Sequence, residues 1–217
     1  MTTFPGSPRI LKGGLVLLDA QTSAVLRIIT LQYNPDTLTR TLQVKGVGSE
    51  SGNRSEAMRL TGPPVETLKL EVEIDATDQL EVADSQTVQV GIQPQLAALE
   101  TIIYPGSGQL QLANFMANLG PIEIAPMETP LTLFVWNRNR IIPVRITELS
   151  ITEEAFDINL NTIRAKVNLG MRVLSVDDLP FYHKGASLYM SYQQTKERLA
   201  GMFRAGTLND LGVNAIP

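Results

Sequence analysis

Two residue types narrow the chemistry open to this chain. His183 is the only histidine among 217 residues, and cysteine is absent. A thiolate metal site, an iron–sulfur cluster, a disulfide scaffold and a cysteine nucleophile have nothing to be built from. A multi-histidine metal site has a single ligand at most. Hydrolysis through His183 needs a serine it can activate, and the chain has no Gly-x-Ser-x-Gly elbow. His183 follows Phe181-Tyr182 ahead of the last predicted helix, where a surface or capping role is the preferred reading.

The carboxylates are similarly sparing. Asp75, Asp78 and Glu81 lie just past a strand and offer oxygen ligands, the basis of a metal-dependent hydrolase reading. The spacing and glycine of an EF-hand are missing, so a solvated strand end is preferred. Glu153-Glu154 and Asp177-Asp178 are adjacent pairs, and neighbours on a strand point to opposite faces. Gly46-x-Gly48 and Gly106-x-Gly108 lack the lysine and third glycine of a phosphate loop. Asn53-Arg54-Ser55 matches a glycosylation sequon without a secretory context. Arg138, Arg140 and Arg145 gather positive charge near a predicted hairpin tip, but no aromatic platform accompanies them. With 18 Lys+Arg against 22 Asp+Glu, the net charge of -4 has the wrong sign for a general nucleic-acid binder. No catalytic residue, metal, cofactor or nucleic-acid partner is expected.

The elements that would carry surfaces are clearer. A chain of this length forms one domain, or one domain with an appendage, and buries roughly 70% of its unfolded surface. Residues 15–18 are a short apolar strand after Gly13-Gly14. Residues 24–33 carry Val25, Leu26, Ile28, Ile29 and Leu31, which predicts a strand buried on both faces. Asn34-Pro35-Asp36 ends it, and residues 38–44 form another. Residues 46–64 are a long polar loop closing on Gly62-Pro63-Pro64, and loops of that length are usually functional or disordered.

In residues 66–75, Leu68, Leu70, Val72 and Ile74 alternate with charged neighbours, the mark of an antiparallel strand with one wet face. Helical spacing follows at 94–104 and, more weakly, at 109–119. Residues 131–136 and 141–152 flank an Asn-rich turn and predict a hairpin. The apolar parity flips between Ile146 and Leu149, which predicts a bulge near Thr147-Glu148. Alternation returns from Ile163 to Val173. A terminal helix is expected over 187–203, with Leu188, Tyr192, Leu199, Met202 and Phe203 on its apolar side and a frayed tail after Gly206. The fold class is α+β, mainly antiparallel β: a barrel or sandwich with a flanking central helix and an extra C-terminal helix. No apolar run is long enough for a signal peptide or a membrane span, so cytoplasmic synthesis and no membrane insertion are expected.

Five stretches in order carry a family resemblance. They are Leu31-Gln32-Tyr33-Asn34-Pro35-Asp36-Thr37-Leu38, then Gly62-Pro63-Pro64-Val65-Glu66-Thr67-Leu68 with Glu73-Ile74-Asp75-Ala76-Thr77-Asp78. Pro94-Gln95-Leu96-Ala97-Ala98-Leu99-Glu100, Pro130-Leu131-Thr132-Leu133-Phe134-Val135-Trp136 and Leu149-Ser150-Ile151-Thr152-Glu153-Glu154 complete the set. Together they resemble the tube-type domain of bacterial contractile injection systems, over roughly residues 10–175. The resemblance implies a small antiparallel barrel with a helix at its flank, its strands continuing from subunit to subunit around a lumen. It implies a structural role in a homo-hexameric ring at the baseplate, joining the spike hub protein to the inner-tube protein beside other baseplate subunits. A tube-stack or terminator subunit of the same machine is the alternative. The division implied is a tube-type domain over 1–175 and a helical appendage over 176–217, where the LysM-like module of many members is not expected. The residues expected at assembly interfaces are Tyr33, Asn34, Pro35, Gly62, Pro63, Pro64, Arg138 and Arg140.

Overall fold

Period-two alternation becomes a single seven-stranded antiparallel sheet in the computed structural model, which describes residues 10–19, 21–46, 59–118 and 129–216. Its strands are β1 (Gly14–Leu18), β2 (Val25–Thr30), β3 (Leu38–Gln43), β4 (Val65–Asp75), β5 (Leu131–Asn137), β6 (Arg140–Phe156) and β7 (Thr162–Val173). Their order in the sheet is β2-β1-β5-β6-β7-β4-β3. The mainly antiparallel α+β class holds. A closed barrel does not: β2 and β3, consecutive in the chain, are the two edges, and they do not pair.

β6 divides this sheet into two halves. Its 17 residues pair with β5 from Arg140 to Val144 and with β7 from Val144 to Phe156, so the two partners overlap only at Val144. The register slips between Ile146 and Glu148, where the sequence predicts a bulge. The slip brings Leu149 and Ile151 to the core after Ile142, Val144 and Ile146. On β4 the even residues from Glu66 to Ile74 are all buried. The interior they share holds Leu15, Phe134, Ile142 and Met171, each at most 1% exposed. Burial of each such side chain contributes about 1.5–3 kcal/mol.

Among the described residues four helices lie between β4 and β5: α1 (Thr77–Glu81), α2 (Ser85–Val90), α3 (Gln93–Glu100) and α4 (Ser107–Asn118). The sequence pattern marks only α3 and α4. α1 and α2 are too short for a helical period to show, and Asp84 caps α2 by accepting the Thr87 amide at 3.0 Å. Gly91, at φ +59, closes α2 against the Thr162 carbonyl, where a Cβ would sit at 2.1 Å.

α5 (Lys184–Ala200) packs against β6. Its buried residues are Gly185, Ala186, Tyr189 and Tyr192. The apolar side expected from the sequence is therefore correct at Leu188 and Tyr192 but not at its far end, where Leu199, Met202 and Phe203 are exposed. Gly185 and Ala186, ahead of the expected start at 187, and Tyr189 complete the docking face. After α5 the chain forms a 3-10 turn, Leu208–Leu211, capped reciprocally by Thr207 and Asp210 and exposed throughout. Among the described residues no helix is long and apolar enough to cross a membrane.

Candidate assembly interface

Among the described residues the sheet leaves two strand edges unpaired, and they differ in character. β2 is apolar, but Val25, Leu26 and Ile28 are 58%, 55% and 63% exposed. This overturns the expectation of a strand buried on both faces. A run of apolar residues specifies what a strand would bury, not whether the chain itself supplies a cover, and an edge position removes one neighbour. Leu31 donates its amide to the Gly13 carbonyl at 2.9 Å, so its main chain faces β1. By alternation the Ile28 and Thr30 main-chain groups face away from β1, and no hydrogen bond to them is found among the described residues.

Side chains replace the missing ladder in two places. Gln32 donates to the Asp75 carbonyl at 2.6 Å and accepts its amide at 3.0 Å, a carboxamide rung between the end of β2 and β4. The Arg27 guanidinium reaches across to Thr101 Oγ1 at 2.7 Å beside α3. Between these ties lies a cavity of about 370 Å³ lined by Ile28, Leu31, Val72, Ile74, Ala98 and Leu99.

β3 is the polar edge, and its seat is a cluster that the sequence reading missed. Glu66 is 2% exposed. Its carboxylate accepts from Arg40 at 2.8 Å and from the Tyr192 hydroxyl at 3.1 Å, with Lys196 at 3.8 Å. Lys196 also stands 4.3 Å from the Tyr192 ring centroid. Burial, with the Glu66 charge, pushes the Tyr192 hydroxyl up to about 12. Burial holds the Lys196 ammonium below its usual range, although Glu66 opposes it. The signal was present in the sequence as parity: Glu66 shares the phase of Leu68, Leu70, Val72 and Ile74.

The residues expected at interfaces fall in three places. Tyr33, Asn34 and Pro35 link the two sheet edges. Tyr33 is 46% exposed, whereas Asn34 is an internal tie, accepting from the Gly13 amide at 3.0 Å and donating to Leu11 at 2.8 Å. Gly62, Pro63 and Pro64 precede β4, with Gly62 so close to Asp177 that a Cβ would meet its carboxylate at 2.9 Å. The foot of the long loop is paired through Gly46 and Leu60, and Lys45 bridges to Asp177 at 2.8 Å. Its body, 47–58, lies outside the described residues, as do Leu119, Gly120-Pro121 and the Asn53 sequon. Arg138 and Arg140 stand at the β5–β6 hairpin tip, and neither has an ion pair among the described residues. The structure does not bring the three groups into one site.

The remaining candidates are committed to local structure. His183 caps α5, its Nδ1 accepting the Gly185 amide at 3.1 Å. Asp75 bonds the Thr77 hydroxyl and amide and pairs with Arg164 at 2.7 Å. Burial raises the Asp75 carboxyl, but those bonds outweigh it and hold it below the usual range. Among the described residues no group of three acidic or histidine side chains could hold a metal ion. Glu153 accepts from the Thr162 hydroxyl while Glu154 pairs with Lys166 at 3.2 Å, so the adjacent pair does serve opposite faces.

No family model matches the chain, and no curated protein matches it. Among the solved structures similar to it are the virion of a native gene transfer agent particle and the tail of an empty gene transfer agent particle with C6 symmetry. Each is 13% identical over 74% of this chain and 90% of the other, with a TM-score of 0.27.

Proposed function

We propose that this chain is a structural ring subunit of a contractile, phage-tail-like injection particle, joining the baseplate spike hub to the inner tube and templating tube assembly. The observation that carries this reading is the pair of unpaired sheet edges. An apolar edge such as β2, exposed on a lone chain, invites uncontrolled pairing unless another strand covers it. A subunit whose β2 lies beside β3 of the next copy uses two different surfaces, and such head-to-tail contacts close into rings when the rotation permits. The five-stretch sequence resemblance supplies the expected hexamer, the hub and inner-tube partners and the particle as location. In this reading residues 1–175 form the ring and 176–217 clamp its β3 edge. Tyr33, between the two edges, and the Arg138–Arg140 tip face neighbouring subunits, while Asn34 and Pro35 hold that link in shape. The 46–64 loop, running into Gly62-Pro63-Pro64, meets an adjacent ring.

Electron microscopy of particles carrying a tagged copy tests the reading. The expected result is one ring of label at the junction of spike and tube. Label along the whole tube, or absent from particles, contradicts it. Deleting residues 47–58 is expected to leave a folded chain that no longer initiates tubes.

A further inference from the structure

Charge is distributed unevenly along this chain. From residue 70 to residue 137 there are nine acidic residues and no Lys or Arg, so this stretch carries -9 and the remainder, with 18 basic against 13 acidic residues, carries +5. The described part of this stretch holds seven of the nine acids, from Glu71, Glu73 and Asp75 in β4 through Asp78, Glu81 and Asp84 to Glu100 at the end of α3. On its surface, between the β1–β2 turn and the α3–α4 connection, is a groove of about 830 Å³. Leu26, Tyr104, Pro105 and Pro130 supply apolar walls, Asp19 and Glu100 are its charged residues, and among the described residues the nearest basic group is Arg27, bonded to the lining Thr101 from the β2 side. Leu26 and Tyr104 are 55% and 65% exposed. Hydrogen bonds from Thr22 hold the Asp19 carboxyl below the usual range.

The opposite combination stands at the end of α5. Leu199, Met202 and Phe203 are 43%, 63% and 80% exposed, and Arg198 and Arg204 flank them. This end has a defined form. Gly201 caps the helix, and the Met202 and Phe203 amides bond back to Leu199 and Ala200 at 3.1 and 3.0 Å. Neither arginine has an ion pair among the described residues. α5 is seated on β6, whereas the groove lies at β2, three places away in the sheet order, and among the described residues neither surface is covered.

We propose that residues 198–204 at the end of α5 in one copy seat in the β2–α4 groove of a second copy, with Met202 and Phe203 against Leu26 and Tyr104 and the arginines facing Asp19 and Glu100. The two surfaces are distinct, so the contact is head-to-tail and each copy both gives and receives it. Charge selects the orientation, because the same tail on a like-charged surface is repelled. This contact is separate from edge pairing between β2 and β3.

Sedimentation velocity on the full chain carrying Ile28→Lys tests it, since that change removes edge pairing and leaves the groove. The expected result is association that grows with concentration and weakens about tenfold or more between low and high salt. Arg198→Glu with Arg204→Glu, and separately Gln21→Lys with Glu100→Lys, should each leave a monomer, with circular dichroism unchanged. Mixing the two charge-reversed chains should restore association, because each tail then meets a groove of opposite sign. A parent chain that stays monomeric at all concentrations, reversed variants that associate as the parent does, or a mixture that stays monomeric would each overturn the proposal. Ring formation by the chain without Ile28→Lys is scored apart, so failure of the groove contact leaves the edge-pairing account standing.

Discussion

The two edges of the sheet handle the same liability differently. β3 carries few apolar side chains and is fastened from within: Arg40 on β3 and Glu66 on β4 meet Tyr192 and Lys196 of α5. β2 is apolar and exposed; beyond its ladder with β1, its outer side is tied only where Arg27 and Gln32 reach across, from its length and from just past its end, among the described residues. β3 is tied by side chains to the chain's own C-terminal helix, but its outer main chain has no partner strand among the described residues. At β2 the outer side chains are open as well, which points to a neighbour.

The largest expected effect lies at the fastened edge. Glu66→Ala removes the buried anion that Arg40, Tyr192 and Lys196 share, and loss of one partner from such a cluster costs about 3–5 kcal/mol. Because Arg40 and Lys196 remain about a third open to water, the lower end is expected. Chemical denaturation measures it, and amide exchange should accelerate first in β3 and α5. Equal acceleration across every strand would show that the cluster does not belong to this edge.

Next in size is the carboxamide rung. Gln32→Ala leaves the Asp75 amide and carbonyl without their partner and should destabilise by about 1–3 kcal/mol. If the rung holds β2 near β4, exchange at β4 residues 72–75 should rise while β3 is unaffected.

The pH dependence is smaller and has two limbs. Tyr192 titrates near 12 in the folded chain against a usual 10.0, so its contribution is complete below pH 10 and is lost as pH rises toward 12. Lys196 acts with the opposite sign: its folded value is lowered, so stability recovers as pH rises through that value toward the usual 10.5. Thermal unfolding between pH 9 and 12 should therefore fall in the native chain and fall less in Tyr192→Phe. On the acid side, Asp75 and Asp178 are both held below 3.8, despite burial, by hydrogen bonds and by Arg164 and Arg172. Their contribution is present above pH 4 and is lost as pH drops below it.

The smallest effect on stability is expected at the open edge. Ile28→Lys lies on an exposed strand and should change unfolding by no more than about 0.5 kcal/mol, while abolishing ring assembly. A variant that still assembles would remove the distinction between the two edges.

Much of this was written in side-chain period. β4, β7 and the bulge in β6 follow from parity alone, because each strand has one face in the core and the slip at Thr147-Glu148 moves that face by one residue. β2 was misread for a physical reason: Val25, Leu26 and Ile28 have the character of a buried strand, and only the pairing order shows that its cover is absent. α5 failed at its far end similarly, since a helical stripe does not say how many turns dock. The Glu66 cluster depends on residues 26 and 126 positions apart, Arg40 and Tyr192, and no local pattern joins them. Its one legible sign was a carboxylate in an apolar phase.

Amide hydrogen exchange on the assembled particle and on the isolated chain tests the central claim most directly. The account predicts that Ile28 and Thr30, whose main chains face away from β1, exchange readily in the isolated chain and become protected on assembly, together with the outer edge of β3. Unchanged exchange at β2 in assembled particles would contradict it.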